Sequence, residues 1–138
     1  IAPVPVWLVG TSMGTVSAAN AAARLREGGP DGLVLTSTVT RAGRQRNESV
    51  EDVRLKDITV PTLVVHHRED ACPITRYGDA EHLLGDLRRT PRHELLTFEG
   101  GAPPQSGPCE SQSAHGYVGL DAQVVKAIAD WILATPGR

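Results

Sequence analysis

The stretch Val4-Pro5-Val6-Trp7-Leu8-Val9-Gly10-Thr11-Ser12-Met13-Gly14 runs from an apolar segment into a serine flanked by glycines, and an alanine-rich segment follows it to Arg26. The apolar run reads as a strand. The alanine-rich run reads as a helix, Met13 to Arg26, that stops at Gly28-Gly29-Pro30. Between them only Gly10 to Gly14 can make the turn, so it must be tight, and small residues there let strand and helix approach closely. Ser12 is thereby placed at a helix N-terminus, where free backbone N–H groups can stabilise developing negative charge.

Working outward, three more apolar runs appear: Gly32 to Val39, Val60 to His66 and Glu94 to Phe98. They alternate with segments of helical character, in the order β-α-β-α-β-α-β-α. The first three runs are nearly continuous in Val and Leu, as in parallel strands covered on both faces. Tyr77, Ala80, Leu84 and Leu87 form one helical stripe ending before Thr90-Pro91. A last helix is expected from an N-cap at Asp121, with Val124, Val125, Ile128, Trp131 and Ile132 on its buried side. Glu48 to Lys56 is read as a short helix. Gly100 to Ser113, rich in Gly, Pro and Ser, is read as a long mobile loop of the kind that tends to carry function. The expected fold is α/β, a four-stranded parallel sheet flanked by helices, with residues 1–138 forming one domain.

Composition narrows the function classes. The chain has 138 residues, 14 Lys and Arg against 16 Asp and Glu, and a formal charge of -2, so no basic stripe invites nucleic acid or an anionic membrane. The local excess at Arg41, Arg44 and Arg46 reads as a solvated loop rather than a phosphate site. No apolar run approaches the roughly 20 residues needed to span a bilayer. Two cysteines, Cys72 and Cys109, are too few to define a metal site, and their separation excludes a redox Cys-x-x-Cys motif.

In an open parallel sheet, functional groups gather beyond the carboxyl ends of the strands. The third strand is followed by His66-His67-Arg68-Glu69-Asp70-Ala71-Cys72-Pro73, and the fourth, after its long loop, by Ser113-Ala114-His115-Gly116-Tyr117. Ser12, Asp70 and His115 then lie in the order nucleophile, acid, base. Glu69 is the rival acid, and His66 is read as a strand-end residue. The strand before that offers no carboxylate, since it ends Thr36-Ser37-Thr38.

With these residues in place, the chain resembles the carboxyl-terminal half of an α/β-hydrolase, broadly of the dienelactone-hydrolase and small-esterase type. The likeness runs over essentially all 138 residues. Gly10-Thr11-Ser12-Met13-Gly14 resembles the G-x-S-x-G nucleophile elbow. Val60-Pro61-Thr62-Leu63-Val64-Val65-His66 leading to Asp70 resembles the seventh strand and acid loop. Ala114-His115-Gly116-Tyr117 resembles the histidine loop. His67 departs from the pattern, because family members commonly carry glycine there. Gly10 to Met13 also resembles the nucleophile segment of subtilisin-like proteases, but in those the acid and base precede the serine.

The resemblance implies a serine hydrolase of carboxylic esters, with Ser12 as nucleophile, His115 as base, Asp70 orienting it, and the Met13 N–H as one oxyanion donor. It implies no cofactor and no metal, and a small-molecule ester as the partner. It also implies earlier strands and the loop carrying a second oxyanion donor, so that little activity is expected of this stretch alone and its exposed first strand is an expected site of association. The Thr40 to Ile58 segment, where the family often inserts a lid, is too short for a cap domain, and an open cleft is expected. The alternative is a non-catalytic binding or interaction protein on the same scaffold. Finally, Cys72 lies two residues after the candidate acid and Cys109 six before the candidate base, so the triad arrangement would bring their loops together. A disulfide is expected there, favouring a periplasmic or secreted location over the cytoplasm.

Overall fold

A computed structural model describes residues 3–44 and 48–136. Arg46, in the arginine group noted above, lies outside the described residues. The four strands, β1 (Trp7–Thr11), β2 (Gly32–Thr36), β3 (Thr62–His67) and β4 (His93–Phe98), form one sheet in the order β1-β2-β3-β4. All three pairings are parallel, with Val9 opposite Val34, Leu35 opposite Val64 and Val65 opposite Leu96. Helices α1 (Met13–Arg24), α2 (Tyr77–Leu84) and α3 (Asp121–Leu133) make the crossovers and the final layer. Among the described residues no helix is long and apolar enough to cross a membrane.

The period-two alternation of β2 and β3 divides the core into two layers. Leu33, Leu35 and Val64 face α1 and α2, meeting Ala19, Ala22, Ala23, Ala80 and Leu83. Val34, Leu63 and Val65 face the other way, toward Tyr117, Leu120, Val124 and Trp131. Both faces of the central strands are therefore covered, which is why their sequences do not alternate with polar residues. The alanines of α1 allow the close seating the sequence suggested. Added to Gly10, a Cβ would lie 2.6 Å from the Gly14 carbonyl oxygen and 2.9 Å from Ala18 Cβ. Gly14 itself has open space at that position.

Several boundaries differ from the sequence reading. β2 ends at Thr36 because Ser37 turns to a positive φ of 47°, which breaks the ladder before Val39. α1 ends at Arg24, two residues early, where Leu25 becomes extended. α2 ends at Leu84, and Leu87 reaches the core from the turn beyond it. Glu48 to Lys56 holds two single 3-10 turns, Val50–Asp52 and Leu55–Asp57, in place of one helix. Asp121 is the first residue of α3 rather than its cap, with no side-chain capping bond. Val125 is 66% exposed, not buried. On a helix it points about 100° away from Val124, enough to leave the sheet-facing stripe that Val124 and Trp131 occupy.

Candidate active site

Ser12 caps α1 in an unusual way. Its backbone, at φ 50° and ψ -118°, is in a region that non-glycine residues avoid, at a strain of about 1–3 kcal/mol. Two neighbours hold it there: the Ser12 N–H donates to the Thr36 carbonyl at 2.9 Å, and the Thr15 hydroxyl donates to the Ser12 carbonyl at 2.5 Å. An ordinary serine cap would turn its hydroxyl back onto the helix N–H groups. Ser12 makes no such side-chain bond, so its hydroxyl is free to face outward. Met13 opens the helix, and its N–H has no acceptor within the helix.

The outward-facing Ser12 Oγ lies 3.0 Å from His115 Nε2. On the far side of the ring, His115 Nδ1 lies 3.0 Å from Asp70 Oδ2. Both the imidazole and the carboxylate are buried, the Asp70 side chain completely. Since a carboxylate can only accept, the ring proton belongs on Nδ1, which leaves Nε2 to accept from the Ser12 hydroxyl. The structure thus brings Ser12, His115 and Asp70 into one hydrogen-bonded line. Glu69 is exposed and takes part only through its backbone, its N–H donating to His67 Nδ1 at 3.0 Å.

Sequence reasoning passed over four supports. Thr75, fully buried, donates its hydroxyl to Asp70 Oδ2 at 2.8 Å and lies 3.1 Å from His115 Nδ1. The Cys72 N–H donates to the other carboxylate oxygen, Oδ1, at 2.9 Å. Asp70 therefore cannot rotate without losing bonds at both oxygens. The histidine loop is anchored through Ser37, whose hydroxyl donates to the His115 carbonyl at 2.7 Å, and through the Tyr117 hydroxyl, which donates to the Val65 carbonyl at 2.8 Å. Burial pushes the Tyr117 phenol up to about 12, so it remains a donor. Ser12, Ser37 and Tyr117 are the non-glycine residues of positive φ among those described, and all three border this site. The sole sequence signal for Thr75 and Ser37 is a hydroxyl residue near a strand end, which is too common to single out.

His67 replaces the expected glycine with a bridge. It accepts from the Glu69 N–H through Nδ1, and its Nε2 lies 2.9 Å from the Gly100 carbonyl, tying the acid loop to the start of the next loop. His66, read as a strand-end residue, is wholly buried, and its Nε2 accepts from the Thr38 N–H at 2.9 Å. Burial lowers its pKa to about 4.

Cys72 and Cys109 are joined by a disulfide, with Cα atoms 4.7 Å apart. The Gly100 to Ser113 segment is a long loop without strand or helix, as expected, and it carries hydrogen bonds of its own. The Gln112 carbonyl accepts from the N–H groups of Gln105 and Ser106, the Glu110 N–H donates to Gly107, and the Ser113 hydroxyl donates to Glu110. These bonds close it on itself into a compact strap.

Two cavities open on either side of Ser12. One, of about 390 Å³, is lined by Met13, Val39, Arg44, Ile74 and Cys109. The other, of about 510 Å³, is lined by Val9, Tyr117, Val124, Val125, Ile128 and again Cys109. Arg41 reaches the first cavity but is bound side-on to Asp79, at 2.7 and 3.1 Å, and this pair holds the Asp79 carboxyl below its usual range.

The fold has counterparts among solved structures. A protein described as a YdeN-like hydrolase, from Pectobacterium atrosepticum, superposes with a TM-score of 0.63 at 19% identity over 99% of this chain. An alpha-beta serine hydrolase homologue from Coxiella burnetii gives a TM-score of 0.54 at 14% identity over 89% of this chain. The chain has the α/β-hydrolase fold. It spans 64% of the length of the first of these chains and 45% of the second, so what is present is part of that fold. No protein-family model and no curated protein sequence matches the chain.

Proposed function

We propose that this chain is the catalytic portion of a serine hydrolase acting on carboxylic esters or a related acyl bond. The observation that carries the reading is the unbroken line from Ser12 Oγ through the His115 ring to Asp70, with both links at 3.0 Å. In the proposed reaction His115 takes the Ser12 proton as Oγ attacks the acyl carbon. The Met13 N–H stabilises the oxyanion, and Asp70 stabilises the imidazolium. The tetrahedral intermediate collapses as His115 returns the proton to the leaving alcohol. Water, activated by the same ring, then releases the acid from the acyl-enzyme. Every proton is carried by a side chain, and the scheme needs no metal or cofactor.

The two cavities flanking Ser12 would take the acyl and alcohol portions; the second, walled by Val9, Val124, Val125 and Ile128, suits an apolar group, whereas the first carries Arg41, Arg44 and Glu48 in its lining. In the proposed arrangement the second oxyanion donor comes from a part of the fold outside this chain. The disulfide is consistent with an oxidising compartment, and we place the protein in the periplasm or outside the cell. A fluorophosphonate probe tests the reading directly. Covalent labelling mapped to Ser12, and lost in Ser12→Ala, is the expected result. An unlabelled Ser12 in the folded chain would favour a binding protein on the same scaffold.

A further inference from the structure

We propose that Cys109 is a thiol-exchange site through which low-molecular-weight thiols gate the cleft, an inference that rests on the hydrolase reading for its effect but not for its chemistry. The two halves of the disulfide are unlike. Cys72 is 1% exposed and sits in the acid loop, whereas Cys109 is exposed on the strap. It is therefore from the Cys109 side that a thiol can approach the bond. Cys109 also lines both cavities beside Ser12. Whatever is attached to its sulfur stands where the acyl and alcohol portions of a substrate would lie.

The strap does not depend on the disulfide for its shape. Its own bonds, from Gln105 and Ser106 to Gln112 and between Gly107 and Glu110, close it locally, and the Ser113 hydroxyl holds the Glu110 carbonyl at 2.8 Å. When the disulfide opens, Cys109 stays presented at the cleft instead of drifting away. The Cys72 N–H keeps its bond to Asp70 in either state, because that bond uses the backbone. Thus a bond whose loss leaves both loops standing acts less as a staple than as a gate.

The exchange balances simply. The incoming thiol forms a new S–S bond with Cys109 Sγ while the Cys72–Cys109 bond breaks, and its proton ends on Cys72, so the first step involves no net oxidation. A second thiol attacking that mixed disulfide releases the oxidised thiol and leaves two protein thiols, the protein having gained two electrons. Return attack by Cys72 on the mixed disulfide restores the starting state.

The test uses glutathione as the probe. The oxidised chain is exposed to excess reduced glutathione, quenched with acid, and its peptides are weighed. The adduct is expected on the peptide holding Cys109, and an adduct on Cys72 would overturn the proposal. In parallel, Cys72→Ser is loaded with oxidised glutathione, which holds the adduct on Cys109 with no resolving thiol. Fluorophosphonate labelling of Ser12 should fall at least tenfold in the loaded form and recover when a dithiol removes the adduct. Equal labelling rates in the loaded and unloaded forms would refute the gate. Should Ser12 fail to label in the unmodified oxidised chain, the hydrolase reading fails, and the peptide masses still decide where exchange occurs.

Discussion

Replacing His66 should remove a defined part of the protein's acid sensitivity. Burial holds the His66 pKa near 4, against 6.5 for a free imidazole, although the charges of Asp70 and Asp79 pull the other way. The Thr38 N–H adds to the effect, because it can donate only to an unprotonated ring nitrogen. The folded state therefore keeps this ring neutral at a pH where the unfolded chain protonates it. Below about pH 6.5 the unfolded state binds more protons, so stability falls as pH falls, and the loss ends near pH 4, where the folded ring also protonates. That difference in pKa corresponds to about 3 kcal/mol in total, of which about 2 kcal/mol is lost between about pH 7.5 and pH 5. His66→Gln does not titrate and retains an acceptor for the Thr38 N–H. Urea unfolding of both proteins at the two pH values gives the comparison. The wild type should lose about 2 kcal/mol more than the variant on acidification. Equal losses would show that His66 is protonated or solvated in the folded protein, and the argument from burial would fall.

Other expectations follow from the site and the elbow. Asp70→Asn should slow acyl transfer by about 10⁴-fold, the size found for the corresponding change in serine proteases, while Glu69→Gln leaves it unchanged; single-turnover labelling of Ser12 separates the two. Thr75→Val strips one donor from a buried carboxylate and should lower stability by about 2 kcal/mol, with Thr75→Ser restoring it, as read from thermal unfolding. Gly10→Ala should cost about 3 kcal/mol, because its new methyl meets a backbone oxygen at 2.6 Å. Gly14→Ala meets nothing and should be neutral or stabilising, by up to about 1 kcal/mol in the same assay.

Which parts of this structure were legible in the sequence depends on how far apart the interacting residues lie. The strand runs, the elbow at Ser12 and the order of the strands follow from local pattern, because continuous Val and Leu segments have few alternatives to a covered parallel sheet. Element ends differ from the local pattern where a single residue leaves regular geometry, as Ser37 does at the end of β2. Val125 was misassigned because apolar character alone does not say on which side of the stripe a helical residue falls. The pairing of Cys72 with Cys109 could be anticipated once both loops were brought to one end of the sheet. Thr75, Ser37 and His67 could not be found in this way. Their roles are hydrogen bonds to partners that only the assembled fold supplies, and a hydroxyl or imidazole in a loop carries no mark of its distant acceptor.

The bonds that build the site span long stretches of chain. Ser12 meets His115 across 103 residues, Ser37 meets Tyr117 across 80, and Asp70 meets His115 across 45. Such contacts form only after the intervening chain has surrendered its loop entropy, so they raise the contact order and belong to the late part of folding. No partly folded form with only β1 and α1 in place can bring Ser12 against its imidazole partner, since His115 arrives with the last quarter of the sequence. On the proposed hydrolase reading, Ser12 reactivity during refolding should therefore appear together with the final native signal and not with the earlier gain of helix, which would make that hydroxyl a reporter of completed folding.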